Sequence, residues 1–391
     1  MKIAVIGAGI SGLGASYLLH KQHDITLFER NDYIGGHTRT LKVGGTPVDT
    51  GFIVYNEPNY PLLTKLFSHL GVATQKSEMS FGASIADGFL EYSSKAPFAQ
   101  RKNLVRPQYL RMVADIVRFN AQAQRYIDVP DMTLGECLDK LGMGSWFRKY
   151  YLLAMGAAIW SCSAQTMLSF PAGTFLRFFK NHGLLTIRDQ PQWYTVTGGS
   201  NAYVGKLTAG FKDQVRLNTA ARSVLRHADG VDVTDITGKT HKFDHAVFAC
   251  HADETLALLE NPTADEKAVL GAFHYQDNVA VLHSDASLMP RHKSCWASWV
   301  YLSEEKDSRT PSVSLTYWMN NLQNLPAETP LFVTLNPGRA PNPALVHNSH
   351  IFSHPVFAPP LRRRESLAAF KARTIAISAA RGRGTGSTRT A

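Results

Sequence analysis

The first forty residues constrain the fold more than any other part of the chain. Residues 2–6 form a short apolar run rich in β-branched side chains. Gly7-Ala8-Gly9-Ile10-Ser11-Gly12 follows, then an apolar stretch over 13–19. A second apolar run, 24–28, ends at Glu29. This order reads as strand, glycine turn, helix, strand and acid: one βαβ unit shaped to hold a dinucleotide. Gly7 permits the tight turn off the strand. Gly9 has no Cβ, so a pyrophosphate can approach the main chain, and Gly12 lets the helix pack close to the sheet. The helix start offers unpaired N–H groups and partial positive charge to the phosphates, with Ser11 counted among the contacts. Glu29 lies 22 positions after Gly7. That is near the spacing of about 20 for an acid that accepts from a ribose hydroxyl, and the same acid repels a 2′-phosphate, which disfavours NADP. A signal peptide is disfavoured, because three glycines interrupt the apolar run and the βαβ pattern continues past it.

Arg30, Gly35-Gly36-His37-Thr38-Arg39-Thr40 and Val48-Asp49-Thr50-Gly51 come next. With these residues the sequence resembles the flavin-containing amine oxidoreductase superfamily, which includes amine oxidases and phytoene-desaturase-like enzymes. The resemblance implies FAD rather than NAD, with Gly35, Gly36, Arg39 and Thr40 reaching the diphosphate. Arg30 joins the same set, and backbone at Val224 is implied to contact the adenine end. The turn Gly198-Gly199-Ser200 is implied to start a helix near the flavin. The implied fold class is α/β: a Rossmann-like FAD-binding domain, βαβ with a central parallel sheet, plus an α+β substrate domain. The FAD-binding domain is expected over 1–58 and 191–255, and the substrate domain over 59–190 and 256–357.

Several local patterns place elements within that frame. A helix is expected over 59–70, with Pro61 early and Leu62, Leu63, Leu66, Phe67 and Leu70 on one face. A hairpin is expected over 79–92 with its turn at Asp87-Gly88. Helices are expected over 105–127, 146–160, 174–180 and 201–210. Thr133 with Glu136 reads as a capping box. Strands are expected over 214–219, 221–227, 231–236, 241–250, 278–283, 294–302, 313–319 and 331–335. Trp146, Phe147, Tyr150, Tyr151, Trp160, Phe170, Phe175, Phe178 and Phe179 read individually as core, and together as candidates for an apolar pocket.

The four cysteines, Cys137, Cys162, Cys250 and Cys295, form no Cys-x-x-Cys pair. With no run long enough to span a bilayer, a reduced, cytoplasmic setting is the simplest reading. His347, His350 and His354 lie in a stretch read as extended and turn-rich, with no acid or thiol beside them, so no metal is expected. The net charge of +10 raises the question of nucleic acid. Eight basic residues and one acid lie within 358–391, which leaves the rest of the chain at +3. The basicity therefore belongs to the tail, and no nucleic-acid partner is expected. The tail's composition suits disorder or a reading frame lost after Phe357; a basic tail for an anionic surface is the alternative.

Amine oxidases often carry a lysine near the strand expected over 278–283. Here that strand has none. The expected function is an FAD-dependent oxidoreductase that takes a hydride from a small, apolar (lipid-like or polyene) or amine substrate, with no single catalytic residue named. The pattern also looks like the amine-oxidase-like domain fused to some cyclopropane fatty acid synthases. A flavin-binding module without turnover, or a truncated inactive member, is the alternative.

Overall fold

The structure is a computed structural model that describes residues 1–160, 167–186, 190–304, 314–356 and 377–378. Trp160's side chain, Cys162 and the basic tail, save Ile377–Ser378, lie outside the described residues. The chain divides into two compact units. One comprises Met1–Arg39, Tyr203–His274 and Pro360–Ala391; the other comprises Thr40–Ala202 and Tyr275–Pro359.

The first unit is built on a parallel sheet. Strand Lys2–Ile6 pairs in parallel with Asp24–Phe28 on one side and His245–Phe248 on the other. Val215–Arg216 continues the sheet beyond Asp24–Phe28. Ile3, Ala4, Val5, Ile25, Leu27 and Phe28 are buried, as a strand covered on both faces requires. Helix Ile10–Leu19 makes the crossover between the first two strands. A separate antiparallel sheet carries Ala221–Arg226, Val231–Asp235 and Thr240–Phe243.

The stretch 241–250 was expected as one strand and is two. Thr240–Phe243 and His245–Phe248 belong to different sheets. The break has a physical cause at Asp244. Its carboxylate accepts from the Lys2 N–H at 2.7 Å, and its own N–H donates to the Lys2 carbonyl at 2.9 Å. The chain is pinned there and redirected. The strand expected over 214–219 shortens to Val215–Arg216, because Gln214 closes a 3-10 turn and Asn218 takes a left-handed φ of 51°.

The second unit holds a seven-stranded mixed sheet. Its order is Val346–Val356, His274–His283, Phe332–Leu335, Ser314–Trp318, Trp299–Ser303, Phe81–Ile85, Leu90–Ser93. The hairpin expected at Asp87-Gly88 is present, and both Asp87 and Gly88 have positive φ. The three histidines near the end lie on one eleven-residue strand rather than in turns. Alternation of exposed and partly buried residues along it explains the difference; its polar composition hid the period of two.

Helices Pro61–Leu70, Pro107–Gln122, Leu134–Lys140 and Ala172–Asn181 occupy the expected places. The helix expected over 146–160 is present with one π-helical turn, Arg148–Leu152, inside it. Phe147, Tyr150, Phe170, Phe175 and Phe179 are buried in one apolar core, with Trp146, Tyr151 and Phe178 packed against it. Phe175 and Phe179 stack with centroids 4.2 Å apart. The hairpin Thr40–Val43/Thr46–Asp49 and the helices Ala252–Leu258 and Ala264–Leu270 had no forecast.

Thr133 caps its helix in both directions. The Glu136 N–H donates to the Thr133 hydroxyl at 3.2 Å, and the Thr133 N–H donates to the Glu136 carboxylate at 2.9 Å. Thr133→Ala is expected to cost about 1 kcal/mol. The readout is the urea midpoint at constant slope; an unchanged midpoint would remove the cap from the stability account.

Candidate functional site

The glycine turn of the first unit shows three different steric demands. Gly7 has φ of 101°, and a Cβ there would lie 2.9 Å from the Ala249 carbonyl oxygen. A Cβ on Gly12 would lie 1.9 Å from the Gly7 carbonyl oxygen, so only glycine lets the helix meet the strand. Gly9 is the opposite case. It caps the helix in an extended conformation, φ −70° and ψ 178°, with no side-chain cap. A Cβ built on it meets nothing within 4 Å. The space above Gly9 is open, while the space around Gly7 and Gly12 is full. Ser11, at the start of helix Ile10–Leu19, is exposed.

The second glycine pair folds back onto this turn. Gly35 donates its N–H to the Ala8 carbonyl at 2.8 Å and forms a parallel bridge with Gly9. Gly35 and Gly36 have φ of 117° and 58°. A Cβ on Gly36 would stand 3.1 Å from the Gly9 Cα. A side chain on Gly36 would hold the two glycine backbones apart, whereas one on Gly9 would not.

Glu29 is buried at the end of strand Asp24–Phe28. Its Oε2 accepts from the Ala8 N–H at 2.8 Å; its Oε1 accepts from the Asn31 N–H and amide at 2.9 and 2.8 Å. An ionised carboxylate has about four acceptor positions, so these three bonds leave capacity for a further hydroxyl. Arg30 points elsewhere and pairs with Glu254 at 2.6 Å. Arg39 lies over the Tyr33 ring, 5.9 Å from its centroid. Val224 is buried in strand Ala221–Arg226, and its carbonyl accepts from the Glu260 N–H at 3.1 Å. Thr38, also buried, bonds the Tyr203 hydroxyl; this contact had no sequence signal.

Thr40 falls in the second unit, at a hub centred on Asp49. The Thr40 hydroxyl donates to Asp49 Oδ1 at 2.5 Å and accepts from the Asn201 N–H at 2.9 Å. Ser200 donates its N–H to both Asp49 oxygens, at 2.8 and 3.0 Å, and its hydroxyl to Oδ1 at 2.8 Å. Gln323 closes the ring: its amide donates to Asp49 Oδ2, and its carbonyl accepts the Asp49 N–H, both at 2.9 Å. Gly199 leaves room for this, since a Cβ there would lie 2.4 Å from Thr40 Cγ2. Asp49 is fully buried. Burial raises its pKa from 3.8 to about 6, against the lowering effect of the Thr40 and Ser200 hydrogen bonds. Burial outweighs the donors, and the carboxylate ionises only as pH rises through about 6. The sequence marked Asp49 only as part of an Asp-x-Gly pattern; Ser200 and Gln323 as its partners were missed.

On strand His274–His283, His283 is fully buried. It accepts the Asp285 N–H at Nδ1, 3.1 Å, which puts its proton on Nε2, 2.7 Å from the Thr334 hydroxyl. Burial lowers its pKa to about 4, against the raising effect of Asp285, so it stays neutral.

The family model for flavin containing amine oxidoreductases matches residues 10–285. The chain therefore belongs to the flavin-containing amine oxidoreductase family, and its cofactor is FAD. It is 26% identical over 253 residues to AofH of Mycobacterium tuberculosis, provisionally named a flavin-containing monoamine oxidase. That match takes in 61% of this chain and 54% of the relative, so the chain spans about half the length of the curated relative. Among solved structures, a redesigned putrescine oxidase matches with TM-score 0.61 and 16% identity over 86% of this chain and 75% of that one. A CLA-producing fatty acid isomerase from P. acnes matches with TM-score 0.60 and 16% identity over 90% of this chain and 86% of its own. These likenesses concern the fold. No described helix is long and apolar enough to cross a membrane.

Proposed function

We propose that the chain is an FAD-dependent oxidoreductase whose first unit is a Rossmann-like domain that grips the adenosine diphosphate part of the cofactor. The open space at Gly9 carries this reading. It sits at an uncapped helix start, where N–H groups and the helix dipole favour an anion, and where a Cβ would fill the approach. Glu29, fixed by Ala8 and Asn31 beside that turn, has acceptor capacity left for a ribose hydroxyl. Gly35 and Gly36 give a second stretch of bare main chain against the first. Bound FAD would supply hydride acceptance from a substrate carbon. The protein's own part is then to hold, orient and exclude water.

For the substrate we favour an apolar molecule over an amine. Strand His274–His283 carries no lysine, and its one buried base, His283, is neutral and tied to Thr334. The test is anaerobic reduction of the FAD-loaded full-length protein by a fatty-acyl compound and by a primary amine, followed by flavin absorbance. Bleaching by the fatty-acyl compound alone is expected. Bleaching by the amine alone overturns the substrate choice. Flavin that dithionite reduces but neither substrate bleaches overturns the oxidoreductase reading for these classes.

A further inference from the structure

Helix Pro107–Gln122 shows two unlike faces to its surroundings. Tyr109, Met112, Asp115 and Phe119 are buried beneath it. On the outer side, Leu110, Ala114, Val117 and Ala121 recur at spacings of four, three and four, which line up along one stripe of a helix. All four are exposed, Leu110 at 43% and Val117 at 53%. Immediately before the helix, Leu104 and Val105 are exposed at 53% and 81%. Single exposed apolar residues are ordinary, but an aligned set on one helix and its lead-in is not.

The charge around this stripe is predominantly positive. Residues 98–127 contain six basic side chains, Arg101, Lys102, Arg106, Arg111, Arg118 and Arg125, and one acid, Asp115. Arg111 and Arg118 lie seven residues apart on a stripe next to the apolar one, and Arg125 follows in the 3-10 turn Ala123–Tyr126. Asp115 offsets one of them: buried, it lies 3.9 Å from Arg111, accepts from Arg118 at 2.7 Å and from the Gly144 N–H at 2.8 Å, and leaves the segment at +5. A cavity of about 230 Å³ opens at this helix, with Gln108, Arg111 and Trp146 in its wall.

We propose that this helix and its lead-in dock on an anionic lipid bilayer, lying in the interface plane. Exposed aliphatic side chains on one stripe and an excess of five cations around it match an acyl boundary below and acidic headgroups around it. The basic stripe selects lipid over a second copy of the chain, since two copies would bring like charges together. The surface belongs to the second unit alone and does not depend on the flavin.

The test is flotation of the full-length protein with vesicles of phosphatidylcholine, and with vesicles of equal parts phosphatidylcholine and phosphatidylglycerol. Binding to the second and not the first, weakening with added salt, is expected. Arg111→Gln with Arg125→Gln is expected to weaken partition about 25-fold, from about fivefold per charge. Val105→Ser with Val117→Ser is expected to weaken it at least about tenfold at unchanged charge. All four positions are exposed, so the melting temperature serves as the folding control. Equal binding to both vesicles, or to neither, overturns the proposal. Binding that both double variants retain places it elsewhere, for instance in the basic stretch after Leu361, and also overturns it. Concentration-dependent dimers that the variants abolish, without vesicle binding, assign the face to a second copy instead.

Discussion

Gly9→Val is expected to yield a folded protein that melts within a few degrees of the parent and carries no FAD. The two halves of this result have separate causes. The backbone of Gly9 is extended, so valine is compatible with it, and the site has no neighbour within 4 Å of a Cβ. The apo fold therefore loses only glycine's N-cap advantage over valine, about 1 kcal/mol. A pyrophosphate seated on the N–H groups at this helix start would lose its approach. An affinity loss of at least about a hundredfold, or about 2.7 kcal/mol, is expected. Gly12→Ala supplies the contrast. Its Cβ would stand 1.9 Å from the Gly7 carbonyl oxygen, so this variant is expected to unfold at lower temperature whether or not FAD is present. The measurements are thermal melts of apo-protein and FAD retained after desalting. Gly9→Val protein that keeps parental FAD would remove the proposed phosphate seat from this turn.

The second large effect is expected at Asp49. Asp49→Ala strips an acceptor from the Thr40 hydroxyl, the Ser200 N–H and hydroxyl, and the Gln323 amide in a site without solvent. Leaving buried donors unpaired costs about 1–3 kcal/mol each, less whatever rotation recovers, so a loss of about 4 kcal/mol is expected. Asp49→Asn is milder, at about 1–2 kcal/mol. The two hydroxyls can rotate to accept from a new amide, while Ser200 N–H and Gln323 still find the remaining oxygen. The pH dependence separates charge from hydrogen bonding. The folded pKa, about 6, lies above the ordinary 3.8. Folding thus favours the neutral form: this contribution is complete below 3.8 and is lost as pH rises through about 6. Subtracting the Asp49→Asn stability profile from that of the parent should isolate that decline. Parallel profiles between pH 4 and pH 7 would show that Asp49 does not titrate there.

What could be read from the sequence was what local sterics dictate. Gly7, Gly9 and Gly12 lie within six positions, and each requirement is a matter of one absent atom. Thr133 and Glu136 announce their helix because both bonds close within three residues. The Asp49 hub was illegible for the opposite reason. Ser200 lies 151 positions away and Gln323 lies 274 away, and nothing in either segment specifies a carboxylate partner. The break at Asp244 depends on Lys2, 242 positions back. The strand Val346–Val356 was obscured by its histidines and Pro355, whose alternation is one of exposure and not of polarity. Thr40 shows the same effect of distance: its hydroxyl bonds Asp49 nine positions on and Asn201, 161 positions on.

The neighbours of strand Lys2–Ile6 have a consequence for synthesis on the ribosome. One edge finds its partner, Asp24–Phe28, almost at once. The other edge waits for His245–Phe248, in a register that sets Ile3 against His245. A nascent chain thus carries an open, sticky margin of Ile3, Val5 and their neighbours until the ribosome has passed Phe248. Release of the chain before that point would leave this margin exposed to other chains.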